Sequence, residues 1–293
     1  MTTARVDKIS IPASLFPSFQ KVLRMLICLF RHFRIGLVGL ILSTLPALSH
    51  EFWIEPQKYQ VESGAPVLAD LRNGQNFSGA NQVFFARRTR RFEFTQSGQT
   101  TAYQGRMGDL PAFQLDQADP GLLIITHETA PQTITYETWE KFQTFADHKG
   151  FADISQRHQA RGLPEQGFAE TYTRHAKSLI AVGDGIGSDK LLGMEAEFVA
   201  LANPYTDDLS LGLPVRVYYL GTPRANAQIE IFERGPDDVV LVSLQRADAQ
   251  GVVLIPVKPG HTYLLDAVVL RPSRQSAGPV WETLWAALTF TTP

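Results

Sequence analysis

Tyr263-Leu264-Leu265-Asp266-Ala267-Val268-Val269-Leu270 reads as a strand, and its surroundings decide the fold. Pro259-Gly260 marks a turn before it, with His261 in that turn, and Val252-Val253-Leu254-Ile255 is another short apolar run upstream. Short runs of this kind, bounded by Gly, Pro and Asp, are the pattern of buried strands. Five more lie at 195–201, 215–219, 228–232, 239–242 and 284–290. Seven candidates within residues 193–293 fit an immunoglobulin-like sandwich.

Upstream, Val182-Gly183-Asp184-Gly185-Ile186-Gly187-Ser188-Asp189 mimics a dinucleotide loop. It follows a helical pattern rather than a strand, and it puts acids where a phosphate would sit, so that reading is rejected. Asp184 and Asp189 could take Ca²⁺, but a surface turn is the plainer reading. Residues 137–181 look helical. Trp139, Phe142 and Phe145 recur at helical spacing, as do Phe151, Ile154 and His158, and then Phe168, Tyr172, His175 and Leu179. Gly150 and Gly162-Leu163-Pro164 separate three short helices. Residues 50–126 return to strand patterns. Lys58-Tyr59-Gln60-Val61-Glu62 and Phe92-Glu93-Phe94 alternate, Ser63-Gly64-Ala65-Pro66 turns, and Leu122-Leu123-Ile124-Ile125-Thr126 is a buried run. The expected chain is mainly β with a helical insert. A β-sandwich over 50–132 and another over 183–293 flank a helical segment over 133–182.

Residues 1–34 carry six basic side chains against one acid, Asp7. An apolar run from Ile35 to Leu45 follows, then Pro46 and the small-residue box Ala47-Leu48-Ser49. That order is a secretory signal peptide over 1–49, cut after Ser49, with Met25 as an alternative start. The run falls short of the ~20 residues of a membrane span, and Arg31-His32-Phe33-Arg34 blocks its extension. The expectation is a periplasmic or secreted protein with no transmembrane span after cleavage.

The 49 residues take six of the 27 Lys+Arg and one of the 29 Asp+Glu, leaving 21 basic and 28 acidic residues. A net acidic chain with no basic patch excludes a nucleic-acid partner. Cys28 is the only cysteine and leaves with the signal, which removes disulfides, thiolate nucleophiles and Cys metal sites. Any metal must be held by His, carboxylates or the amine.

A cut after Ser49 makes His50 the first residue. Its free α-amine, with a pKa of about 7.7–8.0, and its imidazole together can chelate a transition metal. One bidentate residue is too few donors, so other side chains must converge. His127, after the 122–126 run, and His148, near a helix end, complete the candidate metal set of His50, His127 and His148. His158 and His175 sit on apolar stripes and read as core, and His261 as structural. No H-x-x-x-H, H-E-x-x-H or G-x-S-x-G pattern supports a hydrolase. Trp53, Trp139, Trp281 and Trp285 read as core before they read as a carbohydrate groove.

His50-Glu51-Phe52-Trp53-Ile54-Glu55-Pro56 resembles the start of a bacterial periplasmic family of unknown function, often labelled nickel-uptake (NikM- or NikK-like) periplasmic components. Residues 71–77, 172–185, 200–205 and 263–268 look like the same family. Gly221-Thr222-Pro223, Asp248-Ala249-Gln250-Gly251 and Pro259-Gly260-His261-Thr262-Tyr263 resemble a carboxypeptidase-regulatory or transthyretin-like sandwich. The resemblance implies secretion, β-sandwich domains, Ni or Co handling and a membrane transporter as partner. It carries over His50 alone as a ligand. The expected function is therefore a non-enzymatic periplasmic binding protein handling Ni, Co or Cu through His50. The alternatives are an adhesion or interaction module without metal, and a copper-dependent oxidative enzyme using the same His.

Overall fold

The computed structural model describes residues 50–293. The basic segment, Met25, Cys28 and the cut after Ser49 lie outside the described residues. In chain order the first strands are β1 (Glu51–Pro56), β2 (Gln60–Val61), β3 (Val67–Gln75), β4 (Ser78–Gln82), β5 (Thr89–Gln96), β6 (Gln99–Ala102), β7 (Phe113–Leu115), β8 (Gly121–Thr129) and β9 (Gln132–Tyr136). Two helices follow, α1 (Trp139–His148) and α2 (Ile154–Ala160), and then β10 (Phe168–Val182). The chain closes with β11 (Ala196–Ala200), β12 (Leu213–Tyr219), β13 (Thr222–Pro223), β14 (Gln228–Arg234), β15 (Val240–Arg246), β16 (Val252–Ile255), β17 (Thr262–Pro272) and β18 (Trp281–Thr291).

A ten-stranded sheet is the centre. Its order is β15-β14-β17-β18-β10-β8-β5-β6, with β2 and β9 also paired to β10. A sheet of β1, β3, β4 and β7 and another of β11, β12, β13 and β16 complete the strands. The central strands serve two cores because successive side chains point to opposite faces. On β17, Tyr263, Leu265, Ala267 and Val269 pack with Phe198, Val215 and Ile255 of the β11–β12–β16 sheet. Leu264, on the other face, packs with Trp53, Ala69 and Leu71 of the β1–β3 sheet. Further along that second face, Val268 and Leu270 join Trp281, Trp285 and the helix residues Phe142, Phe145 and Ile154.

The third expected helix is a strand. Residues 168–182 form β10, parallel to β18 and antiparallel to β8 and β9. Every residue from Thr173 to Val182 is buried, because layers cover both faces. A doubly covered strand has no polar face, so its apolar residues match any period, a helical one included. Thr171, Tyr172, Thr173, Ile180 and Val182 are the β-branched and aromatic types that favour a strand. The helical segment thus shrinks to α1 and α2. The central sheet also draws strands from both sides of the boundaries expected at 132 and 183.

α1 ends in a turn that fixes the next residue. The Phe151 amide donates to Ala146 O at 2.8 Å and the Gly150 amide to Asp147 O at 3.0 Å, around Gly150 at φ +84°. A side chain at Gly150 would be strained and would meet Gln228 Oε1 at 2.7 Å. The tight exit follows Lys149, whose ammonium reaches Glu51 of β1, Glu230 of β14 and Asp266 of β17.

Candidate functional site

His50 is exposed and stands immediately before β1. The strand behind it is fixed. Trp53 and Ile54 are fully buried, Glu51 pairs with Gly74 across the sheet, and the Thr289 hydroxyl donates to Ile54 O at 2.7 Å. An exposed residue thus leads straight into a buried, hydrogen-bonded strand.

Glu51 reaches a buried charge cluster. Glu230 of β14 and Asp266 of β17 are direct register partners on one face. Two carboxylates facing each other in a buried layer repel, and a cation must lie between them. Lys149 supplies it. Its ammonium is 2.6 Å from Glu230 Oε2, 3.0 Å from Asp266 Oδ2 and 3.8 Å from Glu51 Oε1, and lies 4.7 Å from the centre of the Trp285 ring. His148 Nε2 sits 2.8 Å from Glu230 Oε1 and its side chain is about half exposed. Burial, with Asp266 adding to it, pushes the Glu51 carboxyl up to about 7. The bond to Glu230 raises the His148 pKa against the effect of its partial burial. Burial opposes the charge on Lys149, but Asp266 and Glu230 outweigh it and raise its pKa. The arrangement neutralises carboxylates and pins the start of β1. It is not a ready cation site, because an ammonium already occupies its middle.

The three candidate ligands do not meet. His50 adjoins Glu51 and His148 adjoins Lys149, so the Glu51–Lys149 contact brings these two chain positions to one neighbourhood. His127 is elsewhere, and it is not a loop residue. The 122–126 run continues to Thr129, and His127 is buried on β8 with its ring 4.9 Å from Phe92 and 5.4 Å from Phe52. Its Nε2 lies 3.1 Å from Thr89 Oγ1 and its Nδ1 has no partner. Among the described residues no three His, Cys, Asp or Glu side chains converge as metal ligands.

Burial alone pushes the His127 pKa down to about 3, so the folded protein holds this ring neutral while the unfolded chain protonates it near the ordinary 6.5. The depressed pKa contributes stability that is fully present above 6.5 and is lost as pH falls toward 3. Between about pH 6 and 3, wild type is expected to lose stability on acidification faster than His127→Phe, by about 1.4 kcal/mol per pH unit. Urea unfolding of both proteins at pH 6, 5 and 4 measures the difference, and parallel slopes would contradict it.

Of the other described histidines, His158 and His175 are buried and His261 is partly exposed. Trp281 Nε1 donates to His158 Nδ1 at 3.0 Å, and Pro164 O lies 3.0 Å from His158 Nε2, which satisfies both ring nitrogens. His175 is buried, 3.3 Å from Trp285 O, and burial pushes its pKa down to about 4. His261 lies 2.9 Å from Glu233. Trp53, Trp281 and Trp285 are core, and Trp139 is packed against the helix core. Asp189 is neither a surface turn nor a cation ligand: it is buried against Lys177, which also holds Glu197. Lys149, Glu230, Asp266 and Lys177 escaped the sequence reading. The available signal was a charge inside an apolar run, as in Ile229-Glu230-Ile231, Leu265-Asp266-Ala267 and Ala176-Lys177-Ser178-Leu179.

Fold and site define a layered, mainly β protein with an exposed histidine leading into a rigid strand and a neutralised charge cluster behind it. The chain belongs to the family of a domain of unknown function, DUF4198, whose model matches residues 47–271. No curated protein matches the sequence. Solved structures similar to it include a tetra-tandem repeat from the extending region of a large adhesion protein, at 10% identity and TM-score 0.20 over 83% of this chain. The chain spans 49% of that repeat's length. Another is the D0–D1 domain of intimin, at 13% identity and TM-score 0.19 over 82% of this chain and 97% of that one. A third is a Salmonella alpha-2-macroglobulin mutant, at 12% identity and TM-score 0.21 over 85% of this chain and 15% of that one. No helix among the described residues is long and apolar enough to cross a membrane.

Proposed function

We propose that the chain is exported, cut after Ser49, and acts in the periplasm or outside the cell as a non-enzymatic binding protein. Its cargo is a transition metal ion (Ni, Co or Cu) taken at His50 and passed to a membrane transporter. The observation that carries this reading is the position of His50, exposed and one residue ahead of the buried Glu51. Cleavage there would present an amine and an imidazole from one rigidly mounted residue, a chelate suited to these ions. The family match begins at Ala47, beside the cut. His148, half exposed next to Lys149, is the imidazole placed to join, and the remaining donors come from water or the receiving partner. Equilibrium dialysis of protein starting at His50 against Ni²⁺, Co²⁺ and Cu²⁺ tests the site. One retained ion is expected, with at least tenfold weaker binding in His50→Ala and in the protein acetylated at its α-amine. Equal retention by all three proteins would overturn it.

A second reading has its own support. β15 is the end strand of the central sheet, and Leu241, Val242 and Leu244 are exposed along it, with Val239 exposed just before it. An open apolar edge invites an added strand from a partner, as in an adhesion or interaction module built from immunoglobulin-like or transthyretin-like sandwiches. A copper-dependent oxidative enzyme would share the His50 site, and oxygen- or peroxide-dependent turnover separates it from a carrier.

A further inference from the structure

Arg174 is buried, its Nη1 has no hydrogen-bond partner, and among the described residues the carboxylates that act on it, Asp266, Glu51 and Glu170, do so without an ion pair within 4 Å. It rests on two rings, 4.0 Å from the centre of Trp285 and 5.3 Å from that of Tyr172. The other buried cations contrast with it. Lys149, Lys177 and Arg271 each have carboxylate oxygens within 3.1 Å. A guanidinium stays protonated in a protein, so Arg174 is a fixed positive charge that the fold leaves without a direct counter-ion.

Arg174 lines a cavity of about 350 Å³. Phe52, Leu71, Phe85 and Tyr172 give it apolar walls, and His127 is on the same wall with its Nδ1 unpartnered. Two buried side chains with unpartnered nitrogens therefore border one cavity of mixed lining, in which Arg88, Asn73 and Gln132 add polar groups to the apolar walls. A cavity of this size that combines apolar walls with convergent polar groups has the form of a small-molecule site. A guanidinium fork matches the two oxygens of a carboxylate. We infer that this cavity binds a small organic carboxylate, its head on Arg174 and its apolar body against Phe52, Leu71 and Phe85. A free inorganic anion would leave those walls unfilled. The ligand supplies a directly contacting carboxylate, where Asp266, Glu51 and Glu170 act only from beyond ion-pair distance, and it does so independently of any metal at His50.

Benzoate is the probe, with benzamide as its uncharged counterpart, titrated calorimetrically into the protein in EDTA so that no metal-bound carboxylate is read. Benzoate is expected to bind at least tenfold tighter than benzamide. Arg174→Met removes the guanidinium while keeping an unbranched apolar side chain and is expected to lose at least tenfold in benzoate affinity. Should that variant fail to fold, Val83→Trp is the second test. Val83 is half exposed at the cavity wall, and a tryptophan there would fill it and abolish binding. Equal affinity for benzoate and benzamide, no benzoate binding by wild type, or unchanged benzoate affinity in both variants would each overturn the inference.

Discussion

Replacing Lys177 by methionine is expected to destabilise the protein by about 3–5 kcal/mol at pH 7. Lys177 is fully buried, with its ammonium 2.7 Å from Glu197 and 3.1 Å from Asp189, and it donates to the carbonyls of Phe198 and Lys190. Those carboxylates have further work. Asp189 accepts from the Lys190 and Ala200 amides, and Glu197 from the Leu192 and Met194 amides. Together they fasten the loop between β10 and β11 to the sheet below. Methionine fills the space of the stem but leaves two buried carboxylates facing each other without a cation. They would then take up a proton, so the variant should lose less at pH 5 than at pH 7. Lys177→Met combined with Glu197→Gln removes one of the stranded charges and should recover part of the loss. Urea unfolding at both pH values measures this, and a loss under about 1 kcal/mol would show that the triad contributes little.

Lys149→Met should cost a similar amount, about 3–5 kcal/mol, for a different structural reason. Here the stranded acids are Glu230 and Asp266, opposed across β14 and β17, with Glu51 beyond them. The damage should spread to β1, because Lys149 is the cation that meets Glu51. Hydrogen exchange of the amides at Phe52 and Trp53 is expected to speed up in Lys149→Met and to return toward wild type when Glu230→Gln and Asp266→Asn are added. Exchange confined to the helices would separate the cluster from the mounting of His50.

How far these features could be read from the sequence depends on which partner each residue needs. The short apolar runs and their turns mark strands such as β8, β16 and β17 because one element carries the whole signal. α1 and α2 are legible for the same reason, through Trp139, Phe142 and Phe145 and through Ile154 and His158. β10 is not, because its periodicity is erased by cover on both faces. Glu230 shows how a correct local reading leads to a wrong face. Its alternation with Ile229 and Ile231 says outward, and outward would mean water in a two-layer sandwich. The helices and the β1–β3 sheet add a layer, so outward here is buried. The partner that makes Glu230 tolerable lies 81 residues away and Asp266 meets the same lysine across 117, distances at which a single sequence gives no pairing. The chelate proposed at His50 could be put forward from sequence alone because chain processing, rather than folding, would create it. Arg174 could not, since its chemistry rests on the absence of a contacting counter-ion in three dimensions.

The metal-carrier account stands or falls on His50 becoming the first residue. The most direct measurement is intact-mass spectrometry of the protein exported by its native host, desalted before and after incubation with Ni²⁺, Co²⁺ and Cu²⁺. The account predicts a chain that begins at His50 and retains one ion through desalting. A chain that begins elsewhere, or one that begins at His50 and retains nothing, would contradict it and leave the exposed edge of β15 as the better guide to function.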